Sequence, residues 1–286
     1  MPIPQMSEND PIDLALREDI GAGDVTTALV VPRDLRALAR ILPREKAIIA
    51  GTMTAAEVFR RVDPGLKVSV ELTDGTAVLG GETVLKIQGA ARSILTAERV
   101  ALNFLQRLSG IATLTHDYVE AIGKNPAKIM DTRKTTPGLR ALEKAAVVAG
   151  GGTNHRFGLF DAILVKDNHL AAGQDFEKLA AAIRQARAQN PAMKIEVEAD
   201  SLEQVRALVQ MEGIDVILLD NMETTEMREA IALGRKHNIK FEASGGINLR
   251  TVRRIAATGV DYISVGALTH SPRAIDLSLE LTHVGS

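Results

Sequence analysis

The sequence contains no cysteine and no tryptophan, and only two tyrosines and six phenylalanines among its 286 residues. Without cysteine there are no disulfides, no thiolate metal sites and no thiol nucleophile. With so few rings, the core has to be built from Ala, Val, Ile and Leu, and an apolar content of 45% is enough to build one. Basic excess is missing too. A formal net charge of −2 argues against a general binder of nucleic acid or anionic membrane. No charged-then-apolar leader and no long uncharged apolar run is read, so neither export nor membrane spanning is expected. A soluble cytoplasmic protein is the default reading.

The length suits one large domain or two ordinary ones. Residues 11–20 read as a short acidic helix ending at Gly21, followed by a turn-rich loop through Thr27. Residues 36–50 look extended. Thr54-Ala55-Ala56-Glu57 fits a capping box opening a helix that stops before Asp63-Pro64-Gly65. Val68 to Leu72 alternates at period two, and Thr83 to Ile87 does so less cleanly, giving two strands. Ser93 starts the longest helical pattern, with Leu95, Ala101, Leu102, Leu105 and Leu108 on one face and Arg99, Asn103 and Arg107 on the other. Gly110 is expected to break it, with a second helix to about Ile122. The domain boundary is placed there: residues 1–115, an α+β unit, and residues 116–286.

From Lys128 the texture changes. Short Val/Ile/Leu-rich runs recur at 128–132, 162–166, 194–199, 216–220, 240–244 and 262–266, each followed by polar residues and a helical stretch. That alternation means parallel strands with crossover helices. Six strands are fewer than the eight of a full barrel, so the reading is a small or incomplete barrel, with an open sheet as its competitor.

Polar groups gather at the ends of these strands. Arg133 and Lys134 follow the first, Lys166 the second, and His155 and Arg156 lie between them after Gly150-Gly151-Gly152. Strand exits are where α/β folds build sites, and this cluster suits an anion with more than one negative group. In Ile195-Glu196-Val197-Glu198-Ala199-Asp200, the three acids share one face. Inward carboxylates are costly unless paired or bound to metal; the bland alternative is an ion-pair network in which Lys166 neutralises Glu196. Glu198 and Asp220 offer hard oxygens suited to Mg²⁺. Ser244-Gly245-Gly246 before a helix from Leu249 to about Ala257, and Ser264-Val265-Gly266 after the last strand, read as phosphate cradles. Lys166 could form an imine, although its cationic neighbours favour anion binding. His116, His237 and His283 read as surface residues.

Taken together, Asp131-Thr132-Arg133-Lys134-Thr135-Thr136-Pro137-Gly138-Leu139-Arg140, Asn154-His155-Arg156 and Lys166-Asp167-Asn168-His169 resemble the quinolinate phosphoribosyltransferase family. The likeness extends from Glu18-Asp19-Ile20-Gly21 and Gly23-Asp24-Val25-Thr26-Thr27 through Glu98 to Asn103, Glu196-Val197-Glu198 and Leu219-Asp220-Asn221 to Ser264-Val265-Gly266. The resemblance implies an N-terminal α/β sandwich domain plus an incomplete parallel α/β barrel, the last residues being able to return to the first domain. It implies a homodimer with shared sites, Arg99 crossing from the partner, with hexamer formation left open. It also implies transfer of a phosphoribosyl group from phosphoribosyl pyrophosphate to the ring nitrogen of quinolinate, with loss of CO₂.

In that scheme Arg99, Arg133, His155, Arg156 and Lys166 would meet the dicarboxylate. Lys134 and His270 would meet phosphates, with Thr132, Ser244, Gly245, Gly246, Val265, Gly266 and Ala267 completing the substrate site. Glu198 and Asp220 would hold Mg²⁺, and Lys134, Lys166, Glu198 and Asp220 would be the catalytic set. Ala145, Val148 and Ala149 depart from the family pattern, an aromatic residue being expected at 145, and are read as part of the wall behind the site. Two other functions remain open at this stage: a sugar-phosphate aldolase or lyase using Lys166 as imine former, and a non-catalytic phosphometabolite binder.

Overall fold

A computed structural model describes residues 10–166, 169 and 176–283. It divides into two units: Met1–Leu114 with Thr136–Gly151 and Pro272–Ser286, and Thr115–Thr135 with Gly152–Ser271. In the first unit, strands β1 (Arg36–Pro43), β3 (Lys67–Val70), β5 (Leu85–Ala90) and β12 (Leu277–His283) form an antiparallel sheet in the order β12-β1-β5-β3. Strand β1 alternates strictly, burying Ala37, Ala39 and Ile41. Those residues join Phe59, Leu85, Ile87, Ile94 and Leu105 in an aliphatic core. The two short strands β2 (Ala47–Ile48) and β4 (Ala77–Val78) pair separately.

Local reading fails at four places, and at three of them a distant group decides. The loop after Gly21 contains a helix, α2 (Val25–Val30), because the Asp24 carboxylate accepts the Thr27 N–H at 2.9 Å. Helix α3 (Thr52–Val62) starts before the Thr54 capping box. Its cap is Asp74, whose oxygens accept from Gly51 N, Thr52 N and Thr52 Oγ1 at 2.7–2.9 Å. Gly110 does not end a helix: α4 (Ala91–Ile122) runs through it for 32 residues. A Cβ there would stand 2.1 Å from the Arg273 carbonyl oxygen, so the glycine permits a close backbone approach.

The fourth place is helix α5 (Arg140–Ala149), expected within residues 116–286 but belonging to the first unit. Its Glu143, fully buried, accepts from Arg107 Nη2 at 2.9 Å and from Thr136 Oγ1 at 2.8 Å. Removing Arg107 would leave a buried carboxylate without its charge partner, so the segment is tied to α4.

The second unit holds the six parallel strands: β6 (Lys128–Met130), β7 (Ile163–Val165), β8 (Ile195–Ala199), β9 (Val216–Asp220), β10 (Lys240–Ser244) and β11 (Tyr262–Ser264). Their order is β6-β11-β10-β9-β8-β7. Helices α6 (Phe176–Gln189), α7 (Leu202–Leu208), α8 (Thr224–Gly234) and α9 (Val252–Ala256) follow successive strands. The end strands β6 and β7 share no ladder among the described residues, which makes this an incomplete α/β barrel. No helix among the described residues is long and apolar enough to cross a membrane.

Candidate active site

Because all six strands run in the same direction, their C-terminal ends open on one side, and a cavity of about 890 Å³ lies there. Every lining residue comes from the second unit. Thr132, Arg133 and Lys134 enter after β6, Lys166 after β7, Glu198 on β8, Asp220 and Asn221 at the end of β9, and Ser244 to Ile247 from β10. Val265, Gly266, Ala267 and His270 close it after β11. All the residues expected at the site line this one cavity except Arg99, which is exposed on α4 in the other unit. Asp167 and Asn168 of the central motif lie outside the described residues.

The cations share the hollow. Lys166 Nζ lies 3.0 Å from Glu198 Oε2, not against Glu196 as the bland reading had it. Arg156 is held by Nη1 donating to the Ala162 carbonyl at 3.2 Å. Burial, and then the nearby positive charge of Arg133, draw the Arg156 guanidinium below its usual pKa. Two guanidinium groups close enough to repel are poised for an anion that satisfies both.

At the other end, the Lys134 side chain and the His270 ring stand against Gly266, where a Cβ would meet Lys134 Cδ at 3.1 Å and His270 Nε2 at 3.3 Å. The Thr269 hydroxyl donates to the Lys134 carbonyl at 2.9 Å, pinning this corner. Gly245 has φ +93°, and a Cβ there would come within 2.2 Å of Asn221 Oδ1. Only glycine fits there, which leaves the backbone of this turn uncovered by a side chain. The helix expected from Leu249 begins only at Val252, because Asn248 Oδ1 takes the Arg250 N–H at 3.0 Å and turns the chain first. The cradle is therefore a glycine turn rather than a helix end.

Below the cavity, His155 is fixed on both sides. Its backbone N–H donates to the buried Asp131 carboxylate at 2.9 Å, and its ring Nε2 lies 3.2 Å from Glu196 Oε2. Glu242, fully buried on β10, lines the floor. Asp131, Asn221, Glu196 and Glu242 were not singled out as site residues from sequence. The inward alternation of β8 was the available signal for Glu196; Asp131 and Asn221 gave none beyond their place in motifs. Asp200, expected to share that inward face, is exposed past the strand end, its N–H bonded to Gln204 Oε1.

Ala145 and Val148 are exposed, and neither they nor Ala149 are among the residues that line the cavity. All three lie on α5, which the Glu143 pairing holds in the other unit. His237 is exposed and His116 half-buried.

For a divalent cation, the donor set fits on one criterion. Glu198 and Asp220 line the same cavity as Gly245, Gly246 and Gly266, and carboxylate oxygens are the hard donors that Mg²⁺ takes. His155, Glu196 and Glu242 form a separate buried group with metal-compatible spacing.

The chain matches the model for the quinolinate phosphoribosyl transferase N-terminal domain over residues 24–109 and that for the C-terminal domain over residues 111–280. It is 44% identical to the nicotinate-nucleotide pyrophosphorylase (carboxylating) of Mycobacterium leprae (strain TN), covering 95% of this chain and 96% of the relative. It is also 44% identical to quinolinate phosphoribosyltransferase (decarboxylating) 1b of Nicotiana tabacum, over 94% of this chain and 81% of that one. The crystal structure of NadC from Streptococcus pyogenes superimposes with a TM-score of 0.91 at 40% identity, covering 100% of both chains. The nicotinate-nucleotide pyrophosphorylase of Francisella tularensis gives 0.88 at 37% identity, covering 97% of this chain and 98% of that chain.

Proposed function

The chain belongs to the quinolinate phosphoribosyltransferase family, and from that premise we propose how its cavity performs the reaction. It is a phosphoribosyltransferase of NAD biosynthesis, a carboxylating nicotinate-nucleotide pyrophosphorylase. It joins quinolinate to phosphoribosyl pyrophosphate, giving nicotinate mononucleotide, pyrophosphate and CO₂.

In our assignment, Arg133, Arg156 and Lys166 grip the two carboxylates of the acceptor. The Ser244-Gly245-Gly246 turn and Gly266 hold the 5′-phosphate, and Lys134 with His270 meets phosphate oxygens. Glu198 and Asp220 would hold Mg²⁺, which supplies charge neutralisation for the diphosphate leaving group. As pyrophosphate departs, the anomeric carbon becomes positive, and the carboxylates beside it stabilise that charge. The ring nitrogen attacks from a position fixed by the cationic clamp. The resulting pyridinium then accepts the electron pair released with CO₂, and the vacated carbon takes a proton. A site rich in cations and poor in nucleophiles suits chemistry that needs positioning more than covalent help.

The observation carrying this assignment is that Arg133, Arg156 and Lys166 share one cavity with Glu198 and Asp220. Incubation with quinolinate, phosphoribosyl pyrophosphate and Mg²⁺ should yield the mononucleotide by mass. Borohydride trapping of substrate on Lys166 would instead support an imine-forming lyase.

We also propose a homodimer with shared sites. Its supports are the exposed apolar side chains of Val25, Leu29 and Val30 and the exposed Arg99. Arg99→Ala mixed with a Lys166→Ala protein should regain activity that neither has alone; no recovery after proven subunit exchange counts against it. Size-exclusion chromatography with light scattering would distinguish a dimer from a hexamer. A cytoplasmic setting belongs to the same reading, supported by water-soluble, highly charged substrates; nucleic acid and membrane are not among the partners we propose.

A further inference from the structure

The floor of the cavity contains a buried acid that the scheme above does not use. Glu242 is 0% exposed and Glu196 1%, and Glu196 Oε1 and both Glu242 oxygens have no hydrogen-bond partner. His155 Nε2 sits between them, 3.2 Å from Glu196 Oε2 and 3.5 Å from Glu242 Oε2. Two carboxylates this close and this dry do not both stay ionised.

The ring of His155 decides which one is charged. Its Nδ1 accepts the backbone N–H of Arg156 at 2.7 Å, so the ring hydrogen belongs on Nε2, aimed at Glu196. Lys194 Nζ approaches the same Glu196 oxygen at 3.5 Å. Glu196 therefore has both the ring N–H donor and the Lys194 cation close to it, whereas Glu242 has the ring at 3.5 Å and Lys194 only at longer range. An imidazolium would have to give up the Arg156 bond, because a protonated Nδ1 cannot accept it.

We propose that Glu242 is kept as a neutral carboxylic acid that, by hydrogen-bonding Glu196, fixes His155 as an uncharged Nε2–H ring in the cavity wall. Glu242 and Glu196 are then positioning residues. This rests on the reading of the cavity as the acceptor site. The acceptor's charges are met by Arg133, Arg156 and Lys166, while the imidazole contributes a fixed flat surface and no net charge.

The electrostatics run the same way. Burial, and then the facing Glu196 charge, push Glu242 well above the usual carboxylate range. The groups facing Glu242 are Glu196 of β8, Lys194 just before that strand, His155, and the Ser264 hydroxyl of β11. The same three side chains also suit a transition-metal ion by spacing. A neutral ring already accepting at Nδ1, however, has no lone pair at Nε2 to offer one.

Three variants of the full enzyme and one spectrum test this. Glu242→Ala should raise the quinolinate KM roughly tenfold or more, and Glu242→Gln, a neutral isostere, should bring it back to within about threefold. Glu196→Gln should be at least as damaging as Glu242→Ala. In ¹⁵N-labelled wild-type protein without substrate, His155 should show a bare Nδ1 and a protonated Nε2. Glu242→Gln as harmful as Glu242→Ala would overturn the proposal. So would a protonated Nδ1, or one equivalent of transition metal retained per purified chain. The spectrum decides even if a variant does not fold. It is also independent of the acceptor assignment, which fails separately if wild-type protein does not bind quinolinate.

Discussion

Lys166 Nζ lies 3.0 Å from Glu198 Oε2, so the cation we assign to the acceptor and the carboxylate we assign to the metal are paired with each other. The Glu198 side chain is only 9% exposed, and without Lys166 it would be a poorly solvated negative charge. The pair ties the two halves of the site together.

The two residues should therefore fail as a unit. Lys166→Ala and Glu198→Gln should each lower kcat/KM by roughly 100-fold or more, and the double variant should lose much less than the product. Steady-state kinetics of the three proteins check this; strictly multiplicative losses would show that the two act independently.

Arg133 is proposed to grip by its planar fork rather than by charge alone. Arg133→Ala should lose turnover by about two to three orders of magnitude with an unchanged unfolding temperature, and Arg133→Lys should recover only a small part of it. Kinetics paired with thermal unfolding separate this from a folding defect.

Two glycines should fail differently. Gly110→Ala drives a Cβ onto the Arg273 carbonyl and should destabilise the fold by about 1–3 kcal/mol, seen as a lowered unfolding temperature. Gly245→Ala combines φ +93° with a clash on Asn221. It should instead raise the KM for phosphoribosyl pyrophosphate, with a stability loss on the order of 1–3 kcal/mol.

Acid should expose one surface contact. Hydrogen bonds from Arg273 and the Asp276 N–H hold Glu45 down to about 2. A depressed carboxylate stabilises above its unfolded pKa and loses that contribution as pH falls through the folded one. The window here runs from the usual carboxylate value of 4.5 down to about 2. Arg273 is 68% exposed, so the pair should contribute under about 1 kcal/mol. Glu45→Gln should unfold slightly more easily than wild type at neutral pH and equally below about pH 2; a gap that persists in stronger acid would assign the effect to shape.

Much of the second unit was legible in the sequence, because hydrophobic runs followed by charged exits report strands and their open ends directly. All six strands lie where the runs do, and the cations after β6 and β7 share one cavity. What was not legible depended on partners far along the chain. The Asp74 cap on α3 is 22 residues away from Thr52, the approach of Arg273 to Gly110 spans half the protein, and Glu143 joins α5 to Arg107. The His155–Glu196–Glu242 floor needs three separate elements, and alternation on β8 revealed only one member.

The central claim is that this cavity is built for a doubly anionic ring, and acceptor discrimination tests it most directly. Quinolinate labelled in the carboxylate beside the nitrogen, and separately nicotinate, should be offered with phosphoribosyl pyrophosphate and Mg²⁺. The account predicts one labelled CO₂ per mononucleotide from quinolinate and a kcat/KM for nicotinate lower by roughly 1,000-fold or more, since both carboxylates are gripped. Equal use of nicotinate, or mononucleotide formed without labelled CO₂, would contradict it.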